Sequence, residues 1–439
     1  MFYNEHTLNM LIDSKNVASP DWWMHAKIYE LYIDKFAGNI RGLTARIDYF
    51  NRLGIDCIHL LPHYPSPMDD EGYDVSDYRG VRPELGTVDD LREFFTVARE
   101  HGVRAIVDLV LNHVSVEHPW FLDARRSHES SKRDYFLWST TGNEFPESVN
   151  PFPDFKSSNW IPNPDTNDFY FSTFNPSQAD LNWDNPEVLR EILEVIDHLV
   201  ELGASGFRLD AVAHLIKREH TNSKDLPETH TVLRQIRTHM DRHHPGVILF
   251  GEVSAKMDVA KSYFGNDDEC HLVYSFQFAA EMLYALRTGD LHYLEEVGRI
   301  AAGLPPHSTW AAYLRNHDEI NLGTIDAERR RVLVDLFDPE RRYPFKNGNE
   351  TSMRLMSAFG GNQDHVKNAF RLLYSLSFAT VTYYGDEIGM ENLVLAPETK
   401  DTRLAVRGTF DWEEAKRQMA DPESLWNSAA RMIKGSSPT

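Results

Sequence analysis

The sequence is short of cysteine, of basic residues and of long apolar stretches. Only Cys57 and Cys270 occur in 439 residues, each within an apolar segment, so we expect two buried thiols and no disulfide framework. The 45 basic residues face 67 acidic ones, and the net charge of -22 argues against nucleic acid and anionic membranes as partners. No run of eighteen apolar residues occurs, and MFYNEHTLNMLIDSKN at the N-terminus does not resemble a leader peptide. We therefore expect a cytoplasmic protein.

The chain is long and rich in aromatic side chains. Its length permits an α/β barrel with an insertion as a single architectural unit. The 9 Trp, 18 Tyr and 24 Phe residues offer flat faces that suit sugar rings as well as a protein core. The composition therefore favours a globular protein with a neutral or cationic small-molecule ligand.

Short apolar segments alternate along the chain with segments of helical period, which is the pattern of βα units that form a parallel sheet. We count eight candidate strands, the number that a (β/α)8 TIM barrel requires. The strands are predicted to begin at Ala26, Asp56, Arg104, Gly206, Val247, His271, Trp310 and Ala379. Thr87 with Asp90, and Asn185 with Pro186, are typical starts of two intervening helices.

The stretch between the third and fourth predicted strands is too long for one crossover. Its residues 113–182 are rich in Pro, Asn, Ser, Asp and aromatics, which indicates a loop-rich subdomain inserted over the mouth of the barrel. We therefore predict a barrel formed by residues 1–112 and 183–439, with the inserted subdomain at 113–182.

Carboxylates occur at or near the ends of several predicted strands, where functional residues of parallel barrels collect. Burial of a carboxylate costs several kcal/mol unless the group is paired or protonated, so this grouping indicates catalysis more than structure. The carboxylates are Asp108, Asp210, Glu252, Asp318, Asp386 and Glu387.

Two of these carboxylates suit the hydrolysis of a glycosidic bond. That reaction uses a pair of carboxyl groups across the scissile bond, and the adjacent fourth and fifth strands end at Asp210 and Glu252. Arg208, two residues before Asp210, points to the same side of the strand. We expect Arg208 to lower the pKa of Asp210 and so keep it ionised as a nucleophile, although an isolated Arg-x-Asp sequence is more often a structural ion pair.

Four ordered segments resemble those of the α-amylase family of glycoside hydrolases. They are DLVLNH at 108–113, GFRLDAVAH at 206–214, GEV at 251–253 and NHD at 316–318, and QADLN at 178–182 resembles a fifth. The resemblance implies that Asp210 is the nucleophile, Glu252 the general acid/base and Asp318 the residue that stabilises the distorted sugar.

The resemblance also implies a set of residues that bind the substrate. His113 and His317 would hydrogen-bond the hydroxyls of the sugar that is cleaved, and Tyr73 would be its stacking platform. Asp70 and Arg407 match an acidic and basic pair that holds the non-reducing end of a glucose, which implies exo action on short α-glucosides. The complete predicted set is Asp70, Tyr73, His113, Arg208, His317 and Arg407.

Within the family the likeness is to the trehalose synthases, in YPSPMDDEGYD, ADLNWDNPEV, LRNHDE and YYGDEIGM. Several departures concern calcium. The acidic segment of the first βα loop is replaced by KFAGNIRG, and Lys217 stands where a second site, beside Asn112 and Asp180, has a carboxylate. An ammonium there argues against calcium, so we expect no metal and no required cofactor.

Two further departures from the trehalose synthases do not concern calcium. GTFDW replaces TPMQW, and we expect the C-terminal β-sandwich of the family to be absent.

The predicted function is that of a retaining α-glucoside hydrolase or transglucosylase, which acts on maltose- or sucrose-like glucosides through a covalent glucosyl-enzyme. One alternative is a trehalose synthase, which interconverts maltose and trehalose. Alternatives from other classes are a non-catalytic carbohydrate-binding barrel and a metal-dependent hydrolase that uses Asp108, Asp210 and His317. The expected partner is a small α-glucoside, and the oligomeric state is left open.

Overall fold

In a computed structural model, which describes residues 21–435, eight parallel strands close into a barrel. Each strand pairs with the next one along the chain, and the eighth pairs with the first. Numbered 1 to 8, the strands are Lys27–Leu31, Cys57–Leu60, Arg104–Val110, Gly206–Asp210, Ile248–Gly251, Leu272–Tyr274, Thr309–Tyr313 and Ala379–Tyr383. All eight predicted strands are present, which confirms the predicted barrel. The N-terminal residues 1–20, which include the segment compared with a leader peptide, lie outside the described residues.

Helices cover the outside of the barrel and begin where the sequence predicts. The Thr87 side chain accepts a hydrogen bond from the Asp90 backbone in a capping box, and the helix that starts at Pro186 ends at Gly203, where φ is 125°. The longer helices are Val88–Glu100, Pro186–Leu202, Pro227–His243, Phe276–Thr288, His292–Ala301, Ala327–Phe337, Gln363–Tyr374, Trp412–Ala420 and Leu425–Ile433. The shorter ones are Ile33–Ala37, Ile40–Thr44, Ile47–Leu53, Pro119–Ala124, Met257–Ser262 and Leu355–Ala358.

Between strands 3 and 4 the chain forms two small antiparallel sheets, which are more regular than the loops that the sequence suggested. One pairs His113–Ser115 with Gln178–Asp180, and the other contains Trp138–Ser139, Asp168–Phe171 and Trp160–Asn163. Aromatic rings supply their core; the Phe121 and Tyr170 rings, for example, lie 4.9 Å apart. This inserted region lies at the carboxyl ends of the strands because strand 3 leads directly into it.

A short hairpin formed by Pro344–Phe345 and Glu350–Thr351 reaches the inserted region from the segment between strands 7 and 8. The Phe345 and Phe152 rings lie 6.0 Å apart, and the Asn347 backbone N–H donates to Asp154 at 3.3 Å. The hairpin and the inserted region therefore meet above the end of the barrel.

Two expectations about composition concern the described residues directly. Cys57 and Cys270 are both free and buried, as expected. Among residues 21–435, no helix combines the length and the apolar character needed to cross a membrane.

Candidate active site

The carboxyl ends of the strands open into a cavity of about 510 Å³. Asp210, Glu252 and Asp318, the three predicted catalytic carboxylates, all line it. They lie at the ends of strands 4, 5 and 7, so the barrel brings together side chains that are distant in sequence. The predicted substrate-binding residues Asp70, Tyr73, His113 and His317 also line this cavity.

Arg208 is buried and contacts three carboxylates. Its Nη1 donates to Asp210 Oδ1 at 2.6 Å and to Asp108 Oδ1 at 2.7 Å, and its Nη2 lies 3.0 Å from Glu252 Oε2. A planar guanidinium donates in fixed directions, so these contacts fix Asp210 and Glu252 relative to each other. The pairing also speaks against the metal-dependent alternative, because Asp108 and Asp210 already share a cation.

The expected effect of Arg208 on the pKa of Asp210 is present but is not the largest one. Burial raises the pKa of Asp210 well above its usual value, although the charge of Arg208 lowers it. The negative charges of Glu252, Asp108 and Asp318 act in the same direction as burial. Arg208 therefore lowers the pKa of Asp210, as predicted, but the net pKa is raised, because the sequence could not show how deeply the carboxylate is buried.

A strained turn after strand 4 orients Glu252. Ala211 has a φ of 49°, in the left-handed region that residues with a side chain rarely adopt. Its backbone N–H donates to Glu252 Oε2 at 2.9 Å, and the Glu252 backbone N–H donates to the Leu209 carbonyl at 3.1 Å. The turn thus directs a main-chain donor to the carboxylate that is predicted to act as acid and base.

A chain of buried charges continues from Arg208 around the barrel. His59 lies 3.3 Å from Asp108 Oδ2 through Nε2 and 3.2 Å from Glu30 Oε2 through Nδ1. Glu30 Oε1 in turn lies 3.0 Å from His317 Nδ1, and His317 Nε2 lies 3.2 Å from Asp318. Burial alone would raise the pKa of Glu30, but His317 and His59 together hold it well below its usual value. Glu30 is therefore a buried anion that orients His317.

Tyr73 lies beside His317 at the wall of the cavity. The two rings are stacked, with centroids 5.4 Å apart and an interplanar angle of 14°. The Tyr73 hydroxyl lies 2.8 Å from His317 Nε2 and donates to Asp108 Oδ2 at 3.1 Å. These contacts hold the ring rigidly, as a stacking platform for a sugar requires.

His113 presents an unused nitrogen to the cavity. Its Nε2 is buried and has no hydrogen-bond partner among residues 21–435, whereas its Nδ1 lies 3.2 Å from the Asn112 side chain. Burial lowers the pKa of His113, so the ring is neutral at pH 7. A buried polar atom without a partner is costly, and a sugar hydroxyl would satisfy it.

The partner of Asp70 is Arg403, where the sequence comparison suggested Arg407. Arg403 Nη2 donates to Asp70 Oδ1 at 3.0 Å, and Gln178 Nε2 donates to Asp70 Oδ2 at the same distance. Arg403 lines the cavity, whereas Arg407 is not among its lining residues. Arg403 lies in the short 3-10 helix Thr402–Val406, and Arg407 follows that helix directly. Because the two arginines are only about one turn apart, the sequence alone could not show which of them reaches Asp70.

Arg407 contributes to the site through Asp318 instead. Its Nη2 donates to Asp318 Oδ1 at 2.9 Å, and its Nε donates to the His317 carbonyl at 3.0 Å. Arg403 also reaches Asp318 Oδ1, at 3.3 Å. Burial would raise the pKa of Asp318, but His317, Arg403 and Arg407 together lower it, so this carboxylate is ionised.

The far wall of the cavity contains residues that the sequence did not single out. Lys346, on the hairpin, donates to Glu319 at 2.7 Å and to Glu350 at 2.8 Å. The Arg403 guanidinium lies over the rings of Phe152 and Phe345, at 5.0 and 5.2 Å from their centroids. These side chains come from loops with no motif of their own, so only the folded structure places them at the cavity.

The two side chains that the family resemblance assigns to calcium, Asp180 and Asn112, contact the ammonium of Lys217. Its Nζ lies 2.5 Å from Asp180 Oδ2 and donates to Asn112 Oδ1 at 2.8 Å and to the His214 carbonyl at 2.6 Å. Burial lowers the pKa of Lys217, and the charge of Asp180 opposes that shift. This donor set does not fit a divalent cation, because a cationic side chain already contacts all three oxygens.

We expect Lys217→Met to destabilise the protein by about 3–5 kcal/mol, because it leaves the buried Asp180 carboxylate without its cation. Urea unfolding of the variant and of Lys256→Met, which removes an exposed lysine, would measure the difference. The unfolding free energy of the unaltered protein should not change when calcium is added. Stabilisation of the unaltered protein by millimolar calcium would contradict this assignment.

Comparisons with known proteins agree with this geometry. Residues 12–337 match the family model of the alpha-amylase catalytic domain. Trehalose synthase/amylase TreS of Mycobacterium tuberculosis (strain ATCC 25618 / H37Rv) is 36% identical over 420 residues, which cover 93% of this chain and 69% of that protein. Trehalose synthase of Thermus thermophilus is 37% identical over 406 residues, which are 90% of this chain and 41% of that protein. An oligo-1,6-glucosidase of Heyndrickxia coagulans is 27% identical over 422 residues, 89% of this chain and 71% of that one.

Solved structures share the fold at lower sequence identity. Isomaltulose synthase PalI from Klebsiella sp. LX3 superposes with a TM-score of 0.77 at 22% identity, over 95% of this chain and 84% of that one. Trehalulose synthase MutB from Pseudomonas mesoacidophila MX-45 gives the same TM-score and identity, over 96% and 85% of the two chains. Because the family model matches residues 12–337, which is more than half of this chain, the chain belongs to the α-amylase family of glycoside hydrolases.

Proposed function

We propose that the protein is a retaining enzyme that isomerises a glucose disaccharide in the manner of the trehalose synthases and hydrolyses part of it as a side reaction. The observation that carries the proposal is the pair of Asp210 and Glu252 held on one guanidinium in a cavity that Asp70 and Arg403 line. The relatives at 36% and 37% identity are named trehalose synthases, which favours isomerisation. The proposed reaction requires no organic cofactor and no metal.

The first half of the reaction cleaves the glucosidic bond. Glu252, protonated, gives its proton to the glycosidic oxygen while Asp210 attacks C1 of the glucose and forms a β-linked glucosyl-enzyme. Because Asp210 Oδ1 accepts the hydrogen bond from Arg208, Oδ2 is the atom that attacks. Asp318, His113 and His317 contact the hydroxyls of the distorted sugar in this proposal, and Tyr73 stacks against its face.

The second half transfers the glucose to an acceptor. Glu252, now a carboxylate, takes a proton from the attacking hydroxyl, and the bond to Asp210 breaks with retention of the α configuration. Attack by water gives glucose. Attack by the anomeric hydroxyl of the released glucose gives trehalose from maltose, so the outcome depends on whether that glucose stays in the cavity.

Contacts above the cavity support retention of the released sugar. Phe152 of the inserted region and Phe345 of the hairpin meet across the opening, and the Arg403 guanidinium lies over both rings. Asn347 and Asp154 add a hydrogen bond between the same two segments. A cover formed in this way limits the entry of water while the glucosyl-enzyme exists.

Hydrolysis without isomerisation is the second candidate, favoured by the 27% identity to an oligo-1,6-glucosidase. A non-catalytic carbohydrate-binding barrel is less consistent with the site. Such a protein would gain nothing from three buried or partly buried carboxylates that converge on one cavity, since burial of each is costly.

We expect trehalose to appear when the protein is incubated with maltose, and maltose to appear from trehalose. Proton NMR of the anomeric region would follow both disaccharides and the glucose released, with sucrose and isomaltose as further substrates. Asp210→Asn, which keeps the shape of the nucleophile but not its charge, should lower the rate by at least about 1,000-fold. Glucose from maltose without trehalose would favour the hydrolase, and no turnover of any disaccharide would contradict both candidates.

We expect Arg403→Met to raise KM for the disaccharide and to lower kcat/KM by about 100-fold, because charge-assisted hydrogen bonds at the glucose end are lost. Inhibition by free glucose also depends on the contact between Arg403 and the sugar, so the Ki of glucose should rise in parallel with KM. Arg407→Met is the matched comparison, since Arg407 touches Asp318 but does not line the cavity. A larger rise in Ki for Arg407→Met than for Arg403→Met would reverse the assignment.

A further inference from the structure

A second group of ionisable side chains lies between two outer helices. Asp197 belongs to the helix Pro186–Leu202, His239 to the helix Pro227–His243, and His244 follows that helix directly. The Nε2 atoms of His239 and His244 each lie 2.6 Å from Asp197 Oδ1. None of the three residues lines the cavity, so the proposed reaction leaves them without a role.

The C-terminal end of the helix Pro227–His243 explains how two histidines five residues apart reach the Asp197 carboxylate. His239 is still helical, but the backbone leaves the helix at His244, where φ is −137° and ψ is 55°. The His244 N–H still donates to the Met240 carbonyl, at 2.7 Å, which folds the His244 ring back towards Asp197. A third ring, that of His243, lies 4.7 Å from His239 between centroids.

We propose that Asp197, His239 and His244 bind a divalent transition-metal ion such as Zn²⁺. One donor atom from each residue lies within 4.8 Å of the other two, and two imidazole nitrogens with one carboxylate oxygen form a usual zinc ligand set. Water would complete a tetrahedral site. The ion's bonds replace the two hydrogen bonds to Asp197, and each ring that binds the ion through Nε2 carries its proton on Nδ1.

Only small movements are needed to admit the ion. Donor atoms around a tetrahedral zinc ion are roughly 3.3 Å apart when its bonds are about 2.0–2.1 Å long, so each nitrogen–oxygen pair must separate slightly. The Asp197 side chain is 40% exposed and can rotate towards solvent, whereas the two rings are more enclosed, at 19% and 15%. His239 and His244 also lie at the C-terminal end of their helix, where a cation is favoured.

The place of the group in the barrel indicates a structural role for the ion. Strand 5 begins at Ile248, four residues after His244, so the group lies near the amino ends of the strands and opposite the cavity. A bound ion would join two neighbouring outer helices there. Binding to the folded state alone stabilises a protein, and the reaction at the other end of the barrel should not change.

Zinc titration of the protein in competition with a coloured chelator tests the proposal. We expect one tightly bound equivalent per chain, and a melting temperature about 3 °C higher with saturating zinc than with EDTA. Asp197→Asn, His239→Gln and His244→Gln should each weaken binding at least tenfold and remove most of the melting shift. Disaccharide turnover should be the same with zinc and with EDTA.

His220→Gln is the matched control, because it removes a histidine from an exposed group that also contains Glu147 and Glu219. This control should bind zinc as the unaltered protein does. The melting temperature of each variant without metal reports whether it folds, and if one variant does not fold the other two decide the outcome. Weak binding of several equivalents, or tight binding that survives all three substitutions, would overturn the proposal.

Discussion

The guanidinium of Arg208 is buried among carboxylates, and the active site is arranged around this contact. A cation in the interior is tolerated only when opposite charges are paired with it, and Asp108, Asp210 and Glu252 supply those charges. The same requirement applies to the carboxylates, none of which could be buried alone. The two carboxylates of the proposed chemistry are therefore positioned by the group that makes their burial possible.

The charges extend around the end of the barrel from that contact. Asp108 contacts His59, which contacts Glu30, and Glu30 contacts His317. The His317 ring also contacts Tyr73 and Asp318. Several strands supply polar side chains at or near their carboxyl ends, and the closed barrel places them in a ring. Substitution of a residue in this ring would thus alter the positions of others that do not touch it directly. Above the ring, Arg403 links the charged floor of the cavity to the aromatic contacts between the inserted region and the hairpin.

The sequence predicted the parts of this arrangement that depend on local pattern. Strand 4 could be recognised because Phe207 and Leu209 alternate with Arg208 and Asp210, and the other strands because they are short apolar runs between helices. The positions of Asp210, Glu252 and Asp318 in the cavity followed from the rule that strand ends meet at one face of a barrel.

Other features depend on packing between distant segments. The choice of Arg403 over Arg407 as the partner of Asp70 is decided by a single turn of 3-10 helix, and the raised pKa of Asp210 by the depth of its burial. The hairpin that carries Lys346 has no motif, and the cluster of Asp197 with His239 and His244 arises only because two helices lie side by side. In each case the sequence shows which groups are present, but their distances are set by tertiary structure.

The pH dependence of kcat/KM for a chromogenic α-glucoside, measured for Arg208→Gln and Arg208→Lys, tests the central role of Arg208 most directly. Asp210 attacks only when deprotonated, so activity is lost as the pH falls through its pKa. Removal of the positive charge in Arg208→Gln raises that pKa further, and the acid limb of the profile should move to higher pH. Arg208→Lys keeps the positive charge but loses the planar guanidinium, which donates to several carboxylates at once. The acid limb of this variant should therefore stay near that of the unaltered protein while kcat falls. An acid limb in Arg208→Gln that coincides with that of the unaltered protein would contradict the account.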